Sequence, residues 1–291
     1  MTIRSVKPLL TAAQREHRAV GAFNVSSLEM LRGAVQAAEE TKTPIILQIA
    51  EKRLAHSPLH LIGPMMVEAA KQAQVDIAVQ LDHGHSLPLM EQAVGYGFTA
   101  IMYDGSEYPL AENIEKTARM VQWAKDAGVD LEAEIGVLAG NEGAGDKQAI
   151  HTDPGEAVRL ARETGCTALA VAIGNAHGHY AGKPKLDFAV LDAIRSRLTH
   201  LAHLTIPLVL HGGSGIPAED FRRAIALGVR KINVATASLD AEVAGARAYL
   251  ERTPHADYYG LNEAMTEAVR RNVVRHIHIF NNDRENDHDE T

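Results

Sequence analysis

Short apolar runs alternate with longer amphipathic segments along the whole chain. Eight runs have the length and aliphatic content of buried strands: residues 20–25 (VGAFNV), 44–49 (PIILQI), 76–81 (DIAVQL), 99–104 (TAIMYD), 130–136 (DLEAEIG), 168–173 (ALAVAI), 207–211 (PLVLH) and 230–235 (RKINVA). The segments between them, such as SSLEMLRGAVQAAEETK, LAENIEKTARMVQWAKDAG and PAEDFRRAIALG, repeat apolar residues at helical spacing. Ser27 and Asp153 stand where helix N-caps belong, and Gly97, Gly128, Gly165 and Gly228 stand just past helix ends. The alternation predicts an α/β fold with a parallel sheet, and eight βα units is the number that closes a (β/α)8 TIM barrel. An open doubly wound sheet is the alternative, but it usually carries a glycine-rich fingerprint after its first strand, where this chain has FNVSS. No Pro/Gly/Ser-rich linker divides residues 1–280, so they read as one barrel domain with a C-terminal helical addition after residue 240. Residues 281–291 read as a polar, disordered tail.

In such barrels the reactive groups gather at the C-terminal ends of the strands. Here the third run leads into Asp82 and His83, the fourth into Asp104 and Ser106, and the fifth carries Glu132 and Glu134. The sixth is followed by GNAHGHY with His177 and His179, the seventh ends at His211 in HGGSG, and the eighth gives Asn233 and Thr236. One histidine near a strand end is more often structural than a ligand. Three on separate strands, His83, His177 and His211, each followed by glycine, fit convergence on one divalent ion, and three neutral imidazoles with an open position describe a catalytic zinc site. His85 and His179, two residues further on, leave open an HxH pairing, although two such pairs plus His211 would overfill the site. GGSG (212–215), ahead of a helical segment, and NVAT (233–236) after the eighth run together suggest a phosphate cradle.

Bulk properties narrow the partners. The 291 residues carry a formal charge of -8, which argues against general nucleic-acid or anionic-membrane binding. No apolar run approaches the roughly 20 residues that cross a bilayer. The lone Cys166 rules out an intramolecular disulfide, and the start MTIRSVKPLL lacks a secretion-signal core, so the expected location is cytoplasmic. The 15 histidines are no evidence for metal by their number alone, since several fall in the polar C-terminal region.

The segments AFNV (22–25), LDHG (81–84), YDGSEYPLAENIEKT (103–117), EAEIG (132–136), AIGNAHGHY (172–180), LHGGSGIP (210–217) and KINVAT (231–236) resemble, in order, the class II metal-dependent ketose-bisphosphate aldolases, a family that includes fructose- and tagatose-bisphosphate aldolases. The resemblance implies a lyase that reversibly cleaves a phosphorylated ketose to dihydroxyacetone phosphate and an aldehyde. It implies Zn2+ on His83, His177 and His211, and Asp82 as the acid/base at the C4 hydroxyl. Asp104 and Glu134 match positions for a second divalent ion, or for the same zinc in an inner site. Glu142, in the loop LAGNEG (138–143), matches the glutamate that moves the proton of the dihydroxyacetone-phosphate half. Gly178, Gly212, Gly213, Ser214, Asn233, Val234, Ala235 and Thr236 match the phosphate-binding segments, where a monovalent cation (Na+ or K+) also sits. A homodimer or homotetramer is expected.

Retro-aldol cleavage leaves negative charge on the fragment that keeps the ketone, and a divalent ion or a lysine Schiff base can stabilise it. No lysine ends the sixth run, and Lys231 begins the eighth rather than ending it. Two departures from the family pattern stand out. The arginine that grips a distal phosphate across a subunit boundary is missing from HADYYGLNEAM (255–265), which has Tyr258 and Tyr259; the expected substrate is therefore a ketose 1-phosphate without a distal phosphate. Ala139 replaces a usual glycine in the loop. Lys52 and Arg53 are either solvated charges or a contact for an anionic substrate tail. A barrel metallohydrolase and a non-catalytic aldolase-like subunit are the rival readings. The first typically has an HxH pair at the end of strand one, and the second would be expected to lose ligands.

Overall fold

The computed structural model describes residues 3–140, 150–180 and 182–283. Eight parallel strands, β1 (Val20–Asn24), β2 (Ile45–Ala50), β3 (Ile77–Gly84), β4 (Ala100–Tyr103), β5 (Asp130–Ile135), β6 (Ala168–Val171), β7 (Leu208–Leu210) and β8 (Val229–Val234), pair in chain order and close into a barrel. Helices α2 (Leu28–Glu40), α3 (Leu59–Gln72), α4 (Leu87–Tyr96), α5 (Leu110–Ala127), α6 (Pro154–Thr164), α7 (Phe188–Ser196), α8 (Ala218–Ala226) and α9 (Thr236–Arg252) follow the strands in turn; α1 (Val6–Glu16) precedes the barrel and α10 (Tyr258–Phe280) ends it. This is the (β/α)8 barrel that the pattern predicts. The helix punctuation also holds: Ser27 Oγ accepts from Met30 N at 3.0 Å, Asp153 accepts from the amides of Gly155 and Glu156, and Gly97, Gly128 and Gly165 cap their helices in the left-handed region.

Period-two alternation divides each strand between helix-facing and interior side chains. Phe23, Leu47, Val79, Leu81, Ile101, Leu131, Leu169 and Ile232 join the core under the helices. Inside, the N-terminal half of the barrel is lined by Val20, Ala22, Ile46, Ala78, Ala100, Ala168, Ala170 and Val209. Small alanines leave that half shallow, and α1 closes it from below with Val6, Leu9, Leu10 and Ala13. This plug lies outside the alternating βα pattern, although Ser5 followed by apolar residues at positions 6, 9, 10 and 13 is helical spacing. One level further along, the interior turns polar: Asn24, Gln48, Gln80, Asp82, Glu132, Glu134, Lys231 and Asn233 are all buried.

The C-terminal addition is held by α2. Gly33 lies so close to α10 that a Cβ there would stand 2.8 Å from the Thr266 carbonyl oxygen, and Arg32 pairs with Glu263 at 2.8 Å. Helix α9 buries only Ser238 and leans on α10.

Leu10 is fully buried where α1 meets the barrel floor. Leu10→Ala is expected to destabilise the chain by about 2–5 kcal/mol while metal content stays at the starting level, checked by denaturant unfolding and metal analysis of the purified variant.

Candidate active site

The site begins with a break in alternation. Gln80 and Asp82 point into the barrel, so His83 by parity belongs on the helix side with Leu81. Instead His83 has φ 46, and the β3–β4 register shifts between Leu81 and Gly84. This bulge turns His83 toward the barrel mouth, so two consecutive residues serve one site. A positive φ at a non-glycine residue costs of order 1–3 kcal/mol and persists only where the surroundings enforce it. Here the enforcing contacts are the His83 amide on Met102 Sδ at 3.4 Å and the His83 Nδ1···Asp104 Oδ2 bond at 2.9 Å. Asp82 and His83 thus lie within β3, which runs on to Gly84, rather than past its end.

His177 comes from the loop after β6, and His211 directly follows β7. Their rings and that of His83 form a compact triangle, with centroids 4.9 Å (His83–His177), 4.8 Å (His83–His211) and 5.9 Å (His177–His211) apart. All three are buried, and His83 Nε2, His211 Nδ1 and both ring nitrogens of His177 have no hydrogen-bond partner. Buried nitrogens without partners are costly unless a ligand uses them. Glu134, two residues beyond Glu132 and therefore on the same interior face, places Oε2 3.2 Å from His211 Nδ1 and 3.9 Å from His83 Nδ1. Asp104 Oδ1 is held by the amide and hydroxyl of Ser106, leaving Oδ2 for His83. One ligand atom from each of His83, His177 and His211 lies within 4.8 Å of the others, and the same is true of His83, Asp104 and Glu134.

Burial alone would depress the His83 pKa, but Asp82, Asp104 and Glu134 outweigh it and hold it up to about 10. His211 is likewise raised to about 9, its burial overcome by Glu134 and Glu132. His177 has no such partner, and burial beside two cationic rings pushes it well below the usual imidazole value. Burial next to Asp104 raises Glu134. For Asp104, the bonds from His83 and Ser106 overcome burial and hold the carboxyl well below its ordinary range.

Asp82 is held on the other side of the mouth. Its Oδ2 accepts from Asn24 Nδ2 and Gln48 Nε2, each at 3.2 Å, and its Oδ1 accepts from Asn233 Nδ2 at 3.1 Å. Three amide donors fix the carboxylate as an acceptor whose charge still reaches His83 and His177. Asn24, Gln48, Gln80 and Lys231 are site residues that motif reading missed. The available signal was a polar residue at an interior position of an otherwise apolar strand, as in IILQIA and IAVQLD.

The segments expected to hold phosphate come together at the mouth. Gly213 N donates to Asn233 O at 2.9 Å, and Ala237 N donates to Ser214 Oγ at 2.9 Å. Gly212 needs its φ of 63, and a Cβ there would stand 2.0 Å from the Ala176 carbonyl oxygen. The helix that abuts this loop is α9, whose first residue is Thr236, with Val234 and Ala235 leading into it. The expected helix after GGSG, α8, starts at Ala218 and opens with Glu219 and Asp220, so its first turn repels an anion. Gly178, at φ 83, has open space where a side chain would be.

Other candidates fall outside the cluster. His85 is exposed with its amide on Glu51, and His179 is turned away to Asp240 at 2.8 Å. Lys52 and Arg53 lie on a 3-10 turn (Glu51–Ala55) after β2, and Tyr258 and Tyr259 stand 70% and 78% exposed at the start of α10. Glu142 lies outside the described residues. Ala139 O accepts His177 N at 2.9 Å, and residue 139 is not among the described non-glycine residues with positive φ, so alanine fits the backbone there.

Three buried imidazoles, each with at least one unpartnered ring nitrogen, beside a carboxylate pair at the C-terminal mouth of a closed parallel barrel, form the framework of a metal-dependent enzyme, and nitrogen donors of this kind suit zinc. The family model of class II fructose-bisphosphate aldolase matches residues 4–285, and the chain belongs to that family of lyases. Its members are zinc-dependent in general. The chain is 39% identical over 264 residues to the fructose-bisphosphate aldolase of Geobacillus stearothermophilus, covering 88% of each. It is 37% identical over 288 residues to the 6-phospho-5-dehydro-2-deoxy-D-gluconate aldolase of Bacillus velezensis, covering 96% of each. The crystal structure of the YdjI aldolase from Escherichia coli superposes with a TM-score of 0.85 at 30% identity, covering 97% of this chain and 99% of that one. Among the described residues, no helix is long and apolar enough to cross a membrane.

Near pH 7 the metal-free chain holds a proton on both His83 and His211, whose pKa values stand at about 10 and about 9. A metal must displace those protons, so affinity rises with pH up to the folded pKa values and falls as pH drops. Binding is expected to release about two protons per ion, read from titration calorimetry in buffers of different ionisation enthalpy. Heats independent of buffer would show neutral imidazoles instead.

Proposed function

We propose that this protein is a zinc-dependent aldolase acting on a ketose 1-phosphate that carries no phosphate at its far end. It releases dihydroxyacetone phosphate and an aldehyde, and it runs in either direction. The observation that carries the metal reading is the set of buried, unpartnered ring nitrogens on His83, His177 and His211. Zinc, when bound there, supplies a Lewis acid for the ketone and hydroxyl oxygens and stabilises the enediolate charge. Asp82 takes the C4 hydroxyl proton as the C3–C4 bond breaks and returns it in the condensation direction, with its lone pairs directed by the amides of Asn24, Gln48 and Asn233. Glu142 handles the proton at C3 of the dihydroxyacetone-phosphate half. The substrate phosphate sits against the segments Gly178, Gly212–Ser214 and Asn233–Thr236, at the start of α9, with a monovalent cation (Na+ or K+) beside it. Asp104 and Glu134, with His83, offer a second divalent-ion position.

Two observations support a substrate without a distal phosphate. Residues 255–265 contain no arginine, and a tyrosine replaces bidentate phosphate recognition poorly. The relative from Bacillus velezensis is named for a substrate with one phosphate, a keto group on the neighbouring carbon and an acid at the other end. Lys52 or Arg53 is a candidate partner for such an anionic tail. The relative from Geobacillus stearothermophilus supports the second reading, a 1,6-bisphosphate substrate. We further infer a cytoplasmic homodimer or homotetramer, as suits a phosphorylated substrate and a lone buried thiol at Cys166.

The deciding assay measures dihydroxyacetone phosphate release from ketose 1-phosphates and from fructose and tagatose bisphosphates, with and without chelator. Monophosphates are expected to be the better substrates, and chelation to abolish turnover. A large preference for either bisphosphate would establish the second reading. Asp82→Ala should lower kcat by about 10²–10⁴-fold with zinc content unchanged; loss of zinc in that variant would make Asp82 a ligand.

A further inference from the structure

Lys231 is the one lysine wholly buried among the described residues, and it lies inside the barrel, on β8. Its ammonium makes two bonds: to Glu132 Oε2 at 2.8 Å and to Asn233 Oδ1 at 2.7 Å. Each bond continues to a different functional group. On one arm, Glu132 Oε1 meets His211 Nε2 at 2.9 Å, while Gln80 Nε2 supports Oε2 at 3.1 Å. On the other, Asn233 Nδ2 donates to Asp82 Oδ1 at 3.1 Å.

Donor and acceptor logic makes this chain directional. An ammonium has no acceptor, so Asn233 must present its oxygen to Lys231, and its NH2 is thereby turned to Asp82. A carboxylate has no donor, so Glu132 keeps a proton on His211 Nε2, and Nδ1, which has no hydrogen-bond partner, is the nitrogen left for a metal.

We propose that Lys231 is a positioning residue for both halves of the centre: one ammonium sets which nitrogen of His211 meets the metal and which end of Asn233 meets Asp82. This rests on the proposed roles of His211 and Asp82. A purely structural lysine would only neutralise Glu132. The two cases differ in whether the metal arm and the Asp82 arm can be separated.

Lys231→Met strands the Glu132 charge and frees Asn233. Zinc affinity, measured by chelator competition without turnover, is expected to fall about 10–100-fold, and kcat to fall as well. In Lys231→Met/Glu132→Gln no charge is stranded, and the amide oxygen introduced at position 132 still accepts from His211 Nε2. Zinc affinity is then expected to return to within about 2-fold of the parent, while kcat stays about 10²-fold down because Asn233 has lost its anchor. Adding Asn233→Ala to that double variant should cost no further kcat, whereas Asn233→Ala alone should lower kcat and leave zinc affinity within about 2-fold. Return of kcat together with affinity, or unchanged affinity in Lys231→Met, would overturn the proposal. The site reading fails separately: the parent would bind no zinc, or Asp82→Ala would keep its kcat.

Discussion

The mouth of this barrel is organised by charge that has nowhere to go. Asp82, Asp104, Glu132 and Glu134 are each at most 4% exposed, inside one ring of strands, and Lys231 is the only fully buried lysine among the described residues. Moving one carboxylate out of water costs several kcal/mol unless it is paired and hydrogen-bonded. Lys231 balances Glu132, and the amides of Asn24, Gln48 and Asn233 solvate Asp82. Asp104 and Glu134 are left to the histidines, which answer by holding protons at His83 and His211. A divalent cation with neutral ligands replaces those two protons without changing the total charge. The same carboxylates that make the metal-free centre hold protons would favour such a cation in their place.

The fold supplies this ring through one regularity and one violation of it. Alternation puts Glu132 and Glu134 on the same interior face of β5, Lys231 and Asn233 on that of β8, and Gln80 and Asp82 on that of β3. The alanine-lined floor beneath them and the α1 plug keep water out from below. Regular alternation would have lost His83 to the helix side. The bulge before Gly84 recovers it, and the close packing of Gly84, where a Cβ would stand 2.9 Å from Met102 O, leaves no room for another residue there. The strain at His83 is thus tied to the step that lets two neighbours in the chain, Asp82 and His83, both face the mouth.

Period-two and helical spacing carried the strands, the barrel and most caps in the sequence, because those signals are local. His83, His177, His211, Asp104 and Glu134 were legible for a related reason: strand ends of a barrel converge whatever lies between them. Residues whose meaning depends on partners far along the chain were not. Gln48 and Gln80 look like ordinary polar residues until β2 and β3 bring them to Asp82 and Glu132. Lys231 stands too early in its strand to reach the mouth, and its bonds to Glu132 and Asn233 lie one level below it. GGSG is adjacent to the start of α8 in sequence, whereas the pairing of β7 with β8 brings the start of α9 to the same loop in space.

Lys231 also explains why a barrel with a lysine so near its reactive centre does not use it as an electron sink. A Schiff base needs a free amine that can reach the substrate carbonyl. Here the amine is paired with Glu132 and bonded to Asn233, with no exposed surface at all. Withdrawing it to attack a ketone would strand Glu132 in the interior, and breaking a buried pair in this way costs about 3–5 kcal/mol. It would also release Asn233 from Asp82. The bonds that hold Asn233 on Asp82 and Glu132 on His211 therefore keep the lysine out of covalent chemistry, which agrees with membership of a family that is zinc-dependent in general.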